Sequence, residues 1–329
     1  MLTITHPLDM HTHLRQGDML ALVAPYTARD FAAAVVMPNL TPPVTSLEQV
    51  LSYRREILAA VEQPFEPLMT LFFRPYSRAE LEEVRAHIIG VKLYPAGMTT
   101  NSEAGLADMN AADQTLAMME ELGIPLLVHG EGCGFVLDRE RLFLPVIDHW
   151  AGNFPRLPII LEHITTRDSL PVVDRHANVH ATVTLHHLLI TLDDVMGGLL
   201  RPHLFCKPVA GRPEDRDALR RAVREHPRIF FGSDTAPHPL QAKEAPGCAA
   251  GIFSAPVALP ALAGLFEEMD CLDRLQAFVS DRACLAYSLQ PGSKAVTLDR
   301  TPWTVPRTIG PVVPFLAGQT LNWQVRPCT

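Results

Sequence analysis

Eight short apolar, β-rich runs punctuate the chain, at residues 2–8, 32–37, 66–73, 89–94, 125–128, 158–161, 179–184 and 228–232. Most are continuous rather than alternating, the pattern of strands covered on both faces. Helical patterns lie between several of them. Ser46 and Gln49 form a capping-box pair, followed by Val50, Leu51, Ile57, Leu58 and Val61 at helical spacing. Ser77 and Glu80 form a second pair, opening a segment that runs to His87. A third helix opens at Asn110, carries Leu116, Met119 and Leu122, and stops at Gly123. Residues 213–225, 257–269 and 272–289 also read as helical. The long connection 185–213 shows no clear pattern.

Strands alternating with helices predict a (β/α)8 TIM barrel, an α/β fold. A doubly wound open sheet is the rival, but no G-x-G-x-x-G or P-loop follows the first run. From residue 291 the texture changes. Pro302, Pro306, Pro311, Pro314 and Pro327 interrupt any helix, predicting an extended tail of strands and loops. The expected organisation is one domain over 1–329, with a barrel to about 290 and a Pro-rich extension, 291–329, packed on it.

Composition narrows the class. The 329 residues are 47% hydrophobic and 19% charged, which excludes a disordered chain. No apolar run approaches the roughly 20 residues of a membrane span. Residues 1–7 lack the features of a signal peptide, predicting a cytoplasmic protein. The net charge of −8 argues against a nucleic-acid partner. Cys133, Cys206, Cys248, Cys271, Cys284 and Cys328 stand singly, so neither a disulfide framework nor a cysteine zinc site is indicated. There are 14 histidines. Histidine is the commonest metal ligand, so their placement becomes the main question.

His11 and His13 follow the first run, Lys92 lies within the fourth, His129 and His163 end the fifth and sixth, and Asp234 ends the eighth. In a barrel all of these sit at the C-terminal mouth, where active sites are built. His-x-His in an extended segment points both imidazoles to one face; alone, the pair is equally consistent with a structural role. His129 or His163 alone reads as a hydrogen-bonded core histidine, and Asp234 alone as a turn cap. Lys92 is an unusual residue for an apolar strand. Its ammonium cannot ligate a metal. Burial and nearby cations lower a lysine pKa from about 10.4. The neutral amine can then add carbon dioxide, giving an anionic carbamate able to bridge two ions.

The combined set resembles the amidohydrolase superfamily and, within it, the bacterial-type dihydroorotases that stand as separate enzymes. The resemblance runs through residues 9–15, 36–40, 91–96, 99–102, 127–131, 161–166 and 232–238. It implies reversible hydrolysis of L-dihydroorotate to N-carbamoyl-L-aspartate in pyrimidine biosynthesis, by a cytoplasmic homodimer carrying two Zn²⁺ per subunit. His11, His13, Lys92 and Asp234 would hold one zinc. His129, His163 and the second carbamate oxygen of Lys92, as N6-carboxylysine, would hold the other. Asp234 would also shuttle the proton. Arg15, Asn39 and His238 would bind the substrate carboxylate, Thr99 and Thr100 would lie on a closing loop, and Ala250 and Lys207 would offer backbone contacts.

Two segments depart from the family pattern. Residues 182–187 match loosely, leaving His186 and His187 unassigned, and Lys207 is charged where an apolar residue is expected. His6, His87, His149, His176, His180, His203 and His226 carry no motif and read as structural or exposed. Two rivals share parts of the reading. A hydantoinase or allantoinase would share the ligands but not require the Arg15, Asn39 and His238 clamp. A catalytically dead partner protein would be expected to have lost ligands, and all six positions are filled.

Overall fold

The structure, a computed structural model, describes residues 1–326; the predicted breaker Pro327 and Cys328 lie outside the described residues. Strand β1 (Leu2–Thr5) stands apart from the barrel. The barrel strands are β2 (Leu8–Thr12), β3 (Ala33–Val36), β4 (Glu66–Phe72), β5 (Gly90–Leu93), β6 (Leu126–Val128), β7 (Ile159–Leu161), β8 (Val179–Val183) and β9 (Ile229–Phe231). They pair in parallel in chain order, as one eight-stranded sheet. Closure comes just past β9: the Asp234 N–H donates to the His11 carbonyl and the His13 N–H to the Thr235 carbonyl, each at 2.9 Å. The predicted (β/α)8 barrel is therefore the observed fold.

Local chemistry accounts for many of the boundaries. Every residue of β3, β6, β7 and β9 is buried, which is why these strands read as unbroken apolar runs, and β5 is equally buried but carries Lys92. Helix Arg78–Val84 starts at the complete Ser77–Glu80 capping box. Helix Asp113–Leu122 buries Leu116, Met119 and Leu122 and ends at Gly123, whose φ of 65° suits a residue without a Cβ. Each fully buried Leu, Ile, Val or Phe of this kind stabilises the fold by about 1.5–3 kcal/mol.

Several boundaries differ from expectation. The first run, 2–8, divides at His6-Pro7: β1 pairs antiparallel with β10 (Ala295–Asp299), and the barrel strand begins only at Leu8. His11 thus lies within a strand, not after it. Its polar neighbours Asp9 and Thr12 are wholly buried, and they break the apolar pattern that marks the other strands. Ser46 caps helix Leu47–Ala59, but the Gln49 side chain accepts from the Thr45 N–H at 2.7 Å, so the reciprocal half of that box is shifted one residue upstream. The helix expected over 272–289 is a 3-10 turn (Leu272–Arg274), a π-helical turn (Ala277–Asp281) and an α-helix (Arg282–Tyr287). Helices Gly17–Asp30 and Arg139–Asn153 contain Pro25 and Pro145, which hid them.

The tail is extended, as expected. Strand β11 (Trp303–Thr304) pairs with β12 (Thr320–Leu321), and β13 (Gln324–Val325) pairs with β10. Val296, Leu298, Val305, Phe315 and Trp323 join the same apolar core as the barrel's outer layer. The 185–213 connection contains helices Leu185–Leu189 and Leu192–Met196 and a turn at Pro202–Leu204.

Candidate metal centre and active-site cleft

His11, His13, Lys92, His129, His163 and Asp234 are all buried and meet at the mouth of the barrel. Asp9 helps hold two of them. Its carboxylate accepts from the Ser233 N–H at 2.7 Å, the Ser233 hydroxyl at 2.6 Å and the His11 N–H at 3.2 Å, tying β2 to the end of β9. Gly232 permits that approach, since a Cβ there would lie 2.9 Å from the His11 Cβ. His163 and Asp234 have φ of 42° and 43°, an unusual backbone for non-glycine residues that clusters at functional sites.

Hydrogen bonds set the direction of each imidazole. His11 Nδ1 donates to Glu162 Oε2 at 2.8 Å, and His13 Nδ1 donates to Asn39 Oδ1 at 2.9 Å. Burial holds both rings below the usual histidine range, so they are neutral and their Nε2 atoms carry lone pairs. These nitrogens face Asp234 Oδ1 at 3.4 and 3.1 Å. Three electron-rich atoms pointed at one another favour a cation between them.

The second group repeats this logic. His129 Nε2 donates to Glu131 Oε2 at 2.7 Å, which turns Nδ1 toward His163 Nε2 at 3.2 Å. His163 Nδ1 has no partner. Lys92 is 0% exposed, and its Nζ also lacks a partner. Burial lowers the Lys92 pKa to about 8. Imidazole and carboxylate donors with orphaned buried nitrogens suit a divalent transition metal.

Arg15, Asn39, Thr99, Thr100, Lys207 and Ala250 line one cleft together with His11, His13, His129, His163 and Asp234. Arg15 donates through Nε to the Pro237 carbonyl at 3.2 Å. His238 Nε2 lies 3.1 Å from an Arg15 guanidinium nitrogen and 3.0 Å from the Ala250 carbonyl. One ring nitrogen cannot accept from the first and donate to the second at once, so the His238 tautomer selects between them. Asn39 also donates to the Thr100 carbonyl at 3.0 Å, joining the donor set to the loop.

Sequence reasoning missed the supporting residues. Glu162, Glu131 and Asp9 orient donors, and Thr182 donates to Glu162 Oε2 at 2.6 Å. Their signal was faint: charged residues next to the histidines at the ends of apolar strands. Lys243, 3% exposed, donates at 2.8 Å to the carbonyls of Phe205, Ala249 and Gly251. It thereby fixes both segments that present Lys207 and Ala250. Nothing local in the sequence marked it. Among the histidines set aside, His6 contacts the Gly292 carbonyl, while His176, His203 and His226 contact carboxylates.

The arrangement defines a barrel hydrolase with a metal-binding mouth. Residues 7–280 match the model described as Amidohydrolase family. A dihydroorotase of Helicobacter hepaticus is 46% identical over 338 residues, covering 99% of this chain and 98% of that protein. The crystal structure of the dihydroorotase of Campylobacter jejuni superposes with a TM-score of 0.95 at 47% identity, covering 99% of this chain and 97% of the other. The Saccharomyces cerevisiae dihydroorotase, in complex with 5-fluoroorotic acid, gives 0.92 at 36% identity, covering 99% of each. The chain belongs to the amidohydrolase family and, within it, to the dihydroorotases. Membership implies a divalent metal cofactor, which the donor set fits. Among the described residues no helix is long and apolar enough to cross a membrane.

Proposed function

We propose that the protein reversibly hydrolyses L-dihydroorotate to N-carbamoyl-L-aspartate, the ring-closing and ring-opening step of pyrimidine biosynthesis. The observation that carries this reading is the meeting, in one cleft, of a buried donor set with the cation Arg15. A cyclic amide needs activation at its carbonyl, and a substrate carboxylate needs a partner.

Two zinc ions per chain are assigned. His11, His13, Lys92 and Asp234 would hold one; His129, His163 and Lys92 would hold the other. Cobalt, nickel or manganese could occupy the same donors. Lys92 would reach both as a carbamate, formed when its Nζ bonds to the carbon of carbon dioxide and releases a proton. The buried, unpartnered Nζ supports that assignment. When bound, the ions polarise the amide carbonyl and lower the pKa of an attacking water to about 7.

The remaining work falls to the chain's own groups. Asp234 takes the proton from the attacking water and delivers it to the departing ring nitrogen, acting as base and then acid. Arg15 holds the substrate carboxylate in a two-pronged contact, flanked by Asn39 and His238. Thr99 and Thr100 close over the ring, and the backbones of Ala250 and Lys207 complete the wall. The clamp favours an anionic ring over hydantoin or allantoin. The working form is assigned as a cytoplasmic homodimer.

An ultraviolet assay on metal-replete protein tests the reading, run against dihydroorotate, hydantoin and allantoin in parallel. Dihydroorotate turnover far above the other two is expected. Equal or preferential turnover of the uncharged rings would overturn the assignment of the clamp, and no turnover of any would overturn the enzyme reading.

A further inference from the structure

A second cluster of metal-binding side chains lies beside the first and has no part in the chemistry above. We propose that His186, His187 and Cys206 form a third, structural site for a zinc-class ion, which staples the helix after β8 to the segment carrying Lys207. All three residues are buried, and their donor atoms lie within 4.8 Å of one another. Cys206 Sγ is 3.6 Å from His187 Nε2. Donors around a tetrahedral zinc, at 2.0–2.3 Å from it, lie about 3.5 Å apart, so little closure is needed.

The independent sign is His186. It is 0% exposed, and neither ring nitrogen has a partner. A neutral imidazole always carries one donor and one acceptor, so a buried ring with neither satisfied calls for an explanation. An ion in the cluster gives one nitrogen its partner. His187 is already oriented for the same task. Its Nδ1 lies 2.9 Å from Thr184 Oγ1, and donating there leaves the Nε2 lone pair for the ion. The Pro208 carbonyl is 3.2 Å from both His187 Nε2 and Cys206 Sγ, placed to complete four-coordination. On binding, the Cys206 thiol gives up its proton, and the N₂SO donor set selects zinc or cobalt over magnesium or calcium.

The effect would be mechanical. His186 and His187 stand near one end of the 185–213 connection and Cys206 near the other, immediately before a residue lining the cleft. One ion would hold this long segment in register with the barrel mouth.

Cobalt(II) is the probe, because the catalytic donors include no sulfur. Full-length protein saturated with cobalt should show a near-ultraviolet thiolate-to-cobalt charge-transfer band. It should also bind one more ion per chain than the His186→Gln and Cys206→Ser variants, both of which should lose the band. Cys133→Ser and Cys248→Ser, which remove an exposed and a half-buried thiol, should keep it. Absence of the band in cobalt-loaded wild type overturns the proposal, as does a band that survives His186→Gln. If Cys206→Ser does not fold, the wild-type spectrum and His186→Gln still decide the matter.

Discussion

The barrel mouth and the β1–β10–β13 sheet are built by opposite rules. At the mouth, polar side chains are buried together: His11, Lys92, His129, His163 and Asp234, with His11 aimed by Glu162 and His129 by Glu131. In the sheet, Ile4 faces Val296 across an antiparallel pair, and both are buried among apolar neighbours. Burying an unpartnered nitrogen costs about 1–3 kcal/mol, whereas burying an isoleucine gains a similar amount. The mouth therefore sacrifices stability for position, and packing elsewhere offsets it. Mutations in the two regions should fail in different ways.

The sharpest separation is expected at Lys92. Lys92→Ala should abolish turnover and release bound metal together, with folding retained, as read by elemental analysis and circular dichroism. A variant that kept two metals per chain would remove the bridging role assigned to this residue. Asp234→Asn comes next. A general base or acid contributes about 10²–10⁴-fold, so kcat should fall by that order in steady-state assays of metal-replete protein. Unchanged kcat would show that another group moves the proton. Arg15→Gln should be milder. Losing a charged hydrogen-bond donor costs about 1.5–3 kcal/mol, which predicts a rise in KM of roughly 10- to 150-fold with metal content intact. Metal loss in this variant would make Arg15 a structural residue instead. The smallest effect belongs to the sheet: Ile4→Val should lower stability by about 0.5–1.5 kcal/mol in urea unfolding and leave kcat and KM alone. A change in kcat there would mean that the two regions are coupled.

The amino-acid sequence is most informative where local physics governs. Strands buried on both faces declare themselves as apolar runs, the Ser77–Glu80 box announces a helix start, and Gly123 marks a stop. The residue types of the candidate metal centre were legible too, because histidines at the ends of apolar strands and a lysine within one are out of place. Less legible were elements whose local rule is overridden. The first barrel strand is polar because it lines the site, so its pattern pointed to 2–8 rather than Leu8–Thr12. The helices containing Pro25 and Pro145 persist because tertiary packing outweighs a lost backbone hydrogen bond.

Other features have no local signature at all. Lys243 donates to carbonyls on two different segments. Asp9 reaches Ser233 across the barrel seam, and Cys206 meets His187 across a long connection. Chain order specifies which donors exist and which strand carries each. Closure of the sheet decides which of them meet, because residues more than two hundred positions apart come within hydrogen-bonding distance only when β2 lies against the chain leaving β9.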